Sequence, residues 1–352
     1  LRKREPERPF EAFQIEVTSR CNLKCVMCPV TVLTDHWPAR DMALETFERI
    51  AEAFARTKWV YLQGWGEPLL HPRIFDMIAR AKQAGCRVGF TTNGTRLTRE
   101  TGARLLDAGL DLLAVSIAGA SAATHEAIRV GSDFAKLLEN LRGFLRLRVG
   151  ARPKVEIFYL MTRTNLAELP RAVELAAELG ADELVATNLD YVMTPGLDAL
   201  RAYGEGPPAR ALGAALEEAR AAARRVGVAF RPYPLAFREM AVCDLNPLKI
   251  LFISADGGVS PCVYTSLTGQ SSIPRVFGGH ALEVPVVQFG NLNERPLAEI
   301  WESAAYREFR AAFAARVRGA SRMLLGALGG AAPEEEVQAP QACRTCPKLY
   351  GV

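Results

Sequence analysis

Six short apolar runs, each followed by an amphipathic stretch, leave this chain few folds to adopt. The runs are FQIEVTS (13–19), WVYLQG (59–64), RVGFTTN (87–93), LLAVSIA (112–118), KVEIFYLM (154–161) and ELVATNL (183–189). They have strand length, whereas LETFERIAEAFAR, IFDMIARAKQAG, RETGARLLDAGL, FAKLLENLRGFLRL and LAELPRAVELAAELG between them carry helical periodicity. Strand then helix, repeated, requires parallel strands joined by right-handed crossovers. The strand candidates lean toward continuous apolar runs, so both sheet faces should be covered. Residues 13–192 are therefore predicted to form an α/β unit with a curved, barrel-like sheet, its chemistry beyond the C-terminal strand ends.

After residue 192 the pattern changes. TPGLDALRAYGEGPPAR reads as a Pro/Gly linker, ALGAALEEARAAARRVG as a helix and VAFRPY as a short strand, giving a bridging region over 193–235. From 236 to 352 the chain reads as a small, irregular α+β domain. ILFISADGGVSPCVY is a hairpin around an Asp-Gly-Gly turn, and RPLAEIWESAAYREFRAAFAARV a single helix. TSLTGQSSIPRVFGGHALEVP (265–285) is a long loop expected to cover the barrel mouth, and GALGGAAPEEEVQAPQ a mobile loop. Residues 1–12 form a basic tail without the apolar stretch of a signal peptide, and no run is long enough to span a membrane. We read the chain as cytoplasmic. Its net charge of +4 is mild for 352 residues and forms no basic stripe; neither nucleic acid nor membrane is an implied partner.

Eight cysteines divide as three, one and four. Cys86 stands alone and reads as a buried structural thiol. Cys21, Cys25 and Cys28, in RCNLKCVMCPV just past the first strand, have the spacing C-x3-C-x2-C. Three thiolates from one loop satisfy three irons of a four-iron cluster and leave one iron open. Cys243, Cys262, Cys343 and Cys346 suffice for a closed second site, iron–sulfur or zinc, and spacing alone leaves both open.

The trio after the first strand, followed by GEP after the second, resembles the radical S-adenosylmethionine (SAM) superfamily. That resemblance implies a partial (β/α)6 TIM-like barrel whose open iron is chelated by SAM. Reductive cleavage of SAM then releases a 5′-deoxyadenosyl radical that abstracts hydrogen from substrate. Carried over residue by residue, it assigns Gly66, Glu67 and Pro68 to the SAM amino group, through backbone and carboxylate. It places Asn93 and Ser116 near the ribose and carboxylate, Arg129 on the carboxylate, and Met27, Ala186 and Asn188 near adenine. The chain departs from the pattern at Trp65, commonly glycine, at Ala118, where many relatives have aspartate, and at Met27, usually aromatic. The four later cysteines, with FGNLNERPLAEIWES between them, are similar to the twitch form of the SPASM extension, which implies one auxiliary [4Fe–4S] cluster rather than zinc.

Family chemistry implies hydrogen abstraction from an unidentified substrate. Oxidation or similar tailoring of a small molecule is the leading expectation, because only about a dozen residues precede the first strand, where peptide maturases often carry a recognition domain. Modification of a ribosomal peptide is the alternative, and a non-catalytic iron–sulfur scaffold a minor one. A flavodoxin- or ferredoxin-type protein is the expected electron donor. Asp190, Tyr191, Tyr264 and Glu156 are the nominated catalytic side chains.

Overall fold

The computed structural model describes residues 8–205, 210–326 and 337–352. The strands are β1 (Phe10–Ile15), β2 (Thr57–Tyr61), β3 (Arg87–Thr92), β4 (Leu112–Ile117), β5 (Lys154–Met161), β6 (Glu183–Asn188), β7 (Ala229–Pro232), β8 (Ile250–Ile253), β9 (Gly258–Ser260), β10 (Ser272–Phe277), β11 (His280–Pro285) and β12 (Gly290–Asn291). Ten of them make one sheet in the order β12-β9-β8-β1-β2-β3-β4-β5-β6-β7. β1 to β6 are the six expected parallel strands. The sheet does not stop there, because β7 adds in parallel beyond β6 and β8 in parallel along the other edge of β1. β9 and β12 then pair antiparallel, so the C-terminal region shares the barrel's sheet.

Helices α1 (Leu44–Ala51), α2 (Ile74–Gln83), α3 (Arg99–Asp107), α4 (Ala122–Ile128), α5 (Phe134–Leu147) and α6 (Leu169–Leu179) cover the strands. Their starts are chemically marked: Thr98, Ser121 and Asp133 cap α3, α4 and α5 by accepting from Thr101 N, Thr124 N and Lys136 N. α6 ends on Gly180, in the left-handed conformation that glycine adopts without strain. Phe13, Ile15, Val60, Val88, Leu113 and Ile157 are wholly buried between sheet and helices. Each contributes roughly 1.5–3 kcal/mol by leaving water.

Several expectations need adjustment. The linker contains a short helix, α7 (Pro195–Leu200), before α8 (Arg210–Val226). The single late helix is two, α9 (Leu297–Trp301) and α10 (Ala304–Gly326). The expected long loop over 265–285 holds the β10–β11 hairpin. Its Ile273, Val276 and Val284 join Leu160, Leu189, Tyr191, Val192 and Met193 in an apolar cluster distinct from the main core. That cluster fills the space above the strand ends, so the hairpin does lie over the mouth. Cys86 is buried as expected. Most of the expected mobile loop, and residues 1–7 of the tail, lie outside the described residues.

Candidate active site

The loop after β1 is tied down before any cofactor is considered. Lys24–Cys25 pairs antiparallel with Arg129–Val130, Cys25 opposite Arg129, and Val26 N donates to Ile128 O at 3.0 Å. Cys28 then opens a helical turn, its carbonyl accepting from Thr31 N and Val32 N. The three thiols act on one another, and burial, reinforced by the Cys25 and Cys21 sulfurs and opposed by Arg129, pushes Cys28 up to about 12. Thiols in that condition lose their protons to solvent when iron takes their place. Arg129 Nη1 sits 3.9 Å from Cys25 Sγ, while its buried Nε has no hydrogen-bond partner. Asn93 Nδ2 reaches Asn22 Oδ1 at 3.0 Å and lies 3.9 Å from Cys21 Sγ.

The GEP loop docks on this cysteine loop through backbone. Glu67 N donates to Arg20 O at 2.8 Å, and a Cβ on Gly66 would fall 2.2 Å from Thr18 O, so only glycine fits. Trp65 N donates to Glu16 Oε1 at 2.9 Å, and Ala255 N donates to Glu16 Oε2 at 3.2 Å. Glu16 thus joins β1, the GEP loop and the β8–β9 turn; complete burial raises its carboxyl to about 7, against those two hydrogen bonds.

Glu67 differs from its expected role. Its carboxylate accepts from Thr92 Oγ1 (2.7 Å), Asn93 N (2.7 Å) and Leu69 N (3.1 Å). It is turned inward, fastening the end of β3 to the loop. Pro68 begins the short turn that follows. Ser116 is the half-buried penultimate residue of β4, and Met27 packs into the apolar cluster of the mouth. Ala186 is inside β6, its carbonyl accepting from Tyr233 N at 2.9 Å. Asn188 donates to Pro234 O at 2.8 Å and keeps a buried, unpartnered Oδ1.

The four later cysteines come together from three stretches of chain. The thiol environments of Cys243, Cys262 and Cys343 each include others of the set; burial raises all four, with Cys262 pushed to about 11. Zinc would need its sulfurs about 2.3 Å from a single point. Among the described residues no three Cys, His, Asp or Glu side chains converge to hold a single metal ion.

Three aromatic side chains above the strand ends form a wall. Trp65 and Tyr191 lie 4.6 Å apart, Tyr191 and Tyr264 5.6 Å, and Trp65 and Tyr264 6.2 Å. Burial drives the Tyr191 phenol upward; Arg275 opposes this, while Cys346, Cys262 and Cys28 add to it, so the ring feels both sulfur sets. Of the nominated side chains, Asp190 is committed on both oxygens, to Lys348 Nζ at 2.6 Å and to Tyr264 Oη at 2.9 Å. Tyr191 Oη is buried without a partner. Glu156 is a correction: it sits near the start of β5, away from the strand ends, ion-paired to Lys154 at 2.7 Å and 3.9 Å from Arg231. His125, on α4, is fully buried: its Nδ1 accepts from Ala118 N and its Nε2 lies 3.1 Å from Ser132 Oγ.

Sequence reasoning did not find Lys348 or Arg275. Lys348, two residues after Cys346, carried a signal in the form of a cation inside a segment that had to be buried around sulfur. Arg275 lay in an apparent loop and carried none.

Residues 15–176 match the profile of the radical SAM superfamily, and residues 243–347 that of an iron–sulfur cluster-binding domain known as SPASM. The chain is 31% identical over 314 residues to the tungsten-containing aldehyde ferredoxin oxidoreductase cofactor-modifying protein of Pyrococcus furiosus, covering 84% of this chain and 82% of that one. The chain belongs to the radical SAM superfamily. It is 28% identical to the AdoMet-dependent heme synthase of Methanosarcina barkeri, over 84% of this chain and 83% of that protein. It is 26% identical to the PqqA peptide cyclase of Streptomyces rochei, over 96% and 81%. Among solved structures, Streptococcus suis SuiB bound to S-adenosylmethionine aligns with a TM-score of 0.63 at 14% identity, over 87% of this chain and 69% of that one. The AdoMet-bound anSMEcpe aligns at 0.60 and 17%, over 84% and 82%; both show a shared fold. This radical SAM enzyme therefore uses SAM, a [4Fe–4S] cluster at the trio and an auxiliary iron–sulfur cluster at the later cysteines, and the donor sets described above fit both clusters. No helix among the described residues is long and apolar enough to cross a membrane.

Proposed function

We propose that this enzyme oxidises a small, cofactor-type molecule held against the aromatic wall between its two sulfur sites. When bound, SAM and the trio's cluster supply a 5′-deoxyadenosyl radical under reduction. Cys21, Cys25 and Cys28 hold the iron on a loop that shares a backbone pairing with Arg129, so ligands and arginine are presented as one unit. The Arg129 guanidinium, with its unpartnered Nε, is the donor for the SAM carboxylate. Gly66 and Pro68 keep the loop backbone close to the amino group, and Asn93 and Ser116 border the ribose. Met27 and Asn188 flank adenine, and Glu67 sets the loop from behind.

The carrying observation is the buried Tyr191 phenol, without a hydrogen-bond partner among the described residues and within electrostatic reach of Cys28, Cys262 and Cys346. A substrate at that ring can lose a hydrogen atom toward one site and an electron toward the other. Tyr191 Oη supplies the uncommitted hydrogen-bonding group that orients it, while Asp190 and Tyr264 hold the wall in place. A flavodoxin- or ferredoxin-type donor serves the trio. The small-molecule reading is supported by relatives named for modifying a metal cofactor and for heme synthesis, both aligned over most of this chain. Peptide modification is the second reading, favoured by the alignment of a peptide cyclase over 96% of this chain.

Deuterium transfer tests this. Reconstituted enzyme, SAM and dithionite are incubated with deuterated cell extract split into small-molecule and peptide fractions. Deuterated 5′-deoxyadenosine arising from the small-molecule fraction alone is expected. Label from the peptide fraction alone overturns the substrate class in favour of the second reading.

A further inference from the structure

Two cations are buried beside Cys346, and they are not equivalent. Lys348, 7% exposed at its side chain, is neutralised by Asp190 at 2.6 Å. Arg275, 4% exposed, donates among the described residues only to uncharged acceptors: Ala342 O (2.9 Å), Thr345 Oγ1 (3.2 Å) and Tyr264 O (3.3 Å). Those acceptors belong to the two stretches that carry Cys262 and the Cys343/Cys346 pair. Arg275 itself comes from β10, in the hairpin over the mouth. The guanidinium therefore clasps both cysteine stretches to the hairpin and sets a positive charge among the thiols. That charge acts on Cys343, Cys346 and Tyr191, in each case against the effect of burial.

We infer that Arg275 is the fixed cation that sets the reduction potential of the auxiliary cluster. The inference rests on the auxiliary-cluster reading and goes beyond it. Net charge around a cluster is among the levers on its potential. Reduction adds one electron to an already anionic, thiolate-bound cluster. A buried positive charge with no carboxylate to offset it stabilises that more negative state, because Coulomb interactions are strong where water is excluded. Arg275 thereby makes the cluster a better acceptor for the electron left on the substrate after hydrogen abstraction; the substrate radical is oxidised and the cluster reduced by that one electron, and the proton lost with it passes to solvent. Lys348 adds little net charge while Asp190 is paired with it, so the two cations predict opposite results on mutation.

The test is a redox titration of the full-length, cluster-loaded protein, read by EPR of the auxiliary cluster. Arg275→Gln should lower the reduced-to-oxidised ratio at a fixed solution potential about tenfold, equivalent to about 59 mV for a one-electron couple. Arg275→Lys should stay within about threefold of wild type, and Asp190→Asn, which unmasks Lys348, should raise the ratio. The trio's signal should be unmoved in all three. If Arg275→Gln fails to retain the cluster, the other two variants decide. A raised ratio in Asp190→Asn with Arg275→Lys close to wild type upholds the assignment. An intact cluster whose potential is unchanged in Arg275→Gln, or an unmoved Asp190→Asn, overturns it. Zinc instead of iron at the four cysteines would refute the auxiliary cluster itself, a result distinguishable from either.

Discussion

Glu16 shows how one residue can bind three parts of the site together at an energetic cost. Its carboxyl, raised to about 7, has no cation in contact among the described residues; desolvation dominates, Asp256 adds to it, and Arg40 opposes from a distance. Between about pH 4.5 and 7 the folded state retains a proton that the unfolded state has lost, so folding stability falls as pH rises through that window. A shift of this size corresponds to about 3 kcal/mol, complete above the folded value. Urea unfolding at pH 5 and pH 8 should show this decline in wild type and a flatter profile in Glu16→Gln. Equal slopes in the two proteins would contradict the assignment. Legibility at this scale followed chemistry. The cysteines and the glycine of GEP were readable because their residue types admit few alternatives at that spacing. The inward turn of Glu67, the burial of His125 and the ion pairs of Glu156 were not, since each depends on partners that only the folded chain brings into reach.

Among the elements, the loop after β2 governs the trio's geometry. Gly66 lies so close to Thr18 O and Arg20 O that a methyl group must move backbone, not a side chain. Gly66→Ala should therefore dislodge the cysteine loop and spare the later cysteines. The expected outcome is a fall from about eight irons per chain to about four after anaerobic reconstitution, with the auxiliary signal intact. Retention of both clusters would show that the close docking is dispensable. The helices and parallel strands were legible from periodicity, and Lys154–Met161 ran as anticipated. The β10–β11 hairpin escaped because Arg275 is buried in β10, breaking the apolar alternation on which a strand reading depends. The break between α9 and α10 escaped as well; it is held by Arg310 donating to Trp301 O at 2.6 Å, a contact no local pattern announces.

At the scale of the whole molecule, two regions distinguished by composition share one sheet. β8 adds to β1 in register from Ala12 opposite Ile250 to Ile15 opposite Ile253, so the strand leading to the first cysteines is flanked by a strand from the auxiliary region. Glu16 and the wall of Trp65, Tyr191 and Tyr264 continue that junction toward the strand ends. Long-range parallel pairing of this kind leaves no trace in spacing, which is why a reading by spacing separates the regions at residue 192 and misses their shared sheet. The central claim is that one sulfur site opens to SAM and the other is closed. EPR of the reduced, reconstituted protein with and without SAM tests it most directly. Two cluster signals are predicted, only one of which changes on adding SAM; replacing Cys21, Cys25 and Cys28 by alanine should remove that one together with 5′-deoxyadenosine formation. A SAM-sensitive signal that survives loss of the trio would contradict the account.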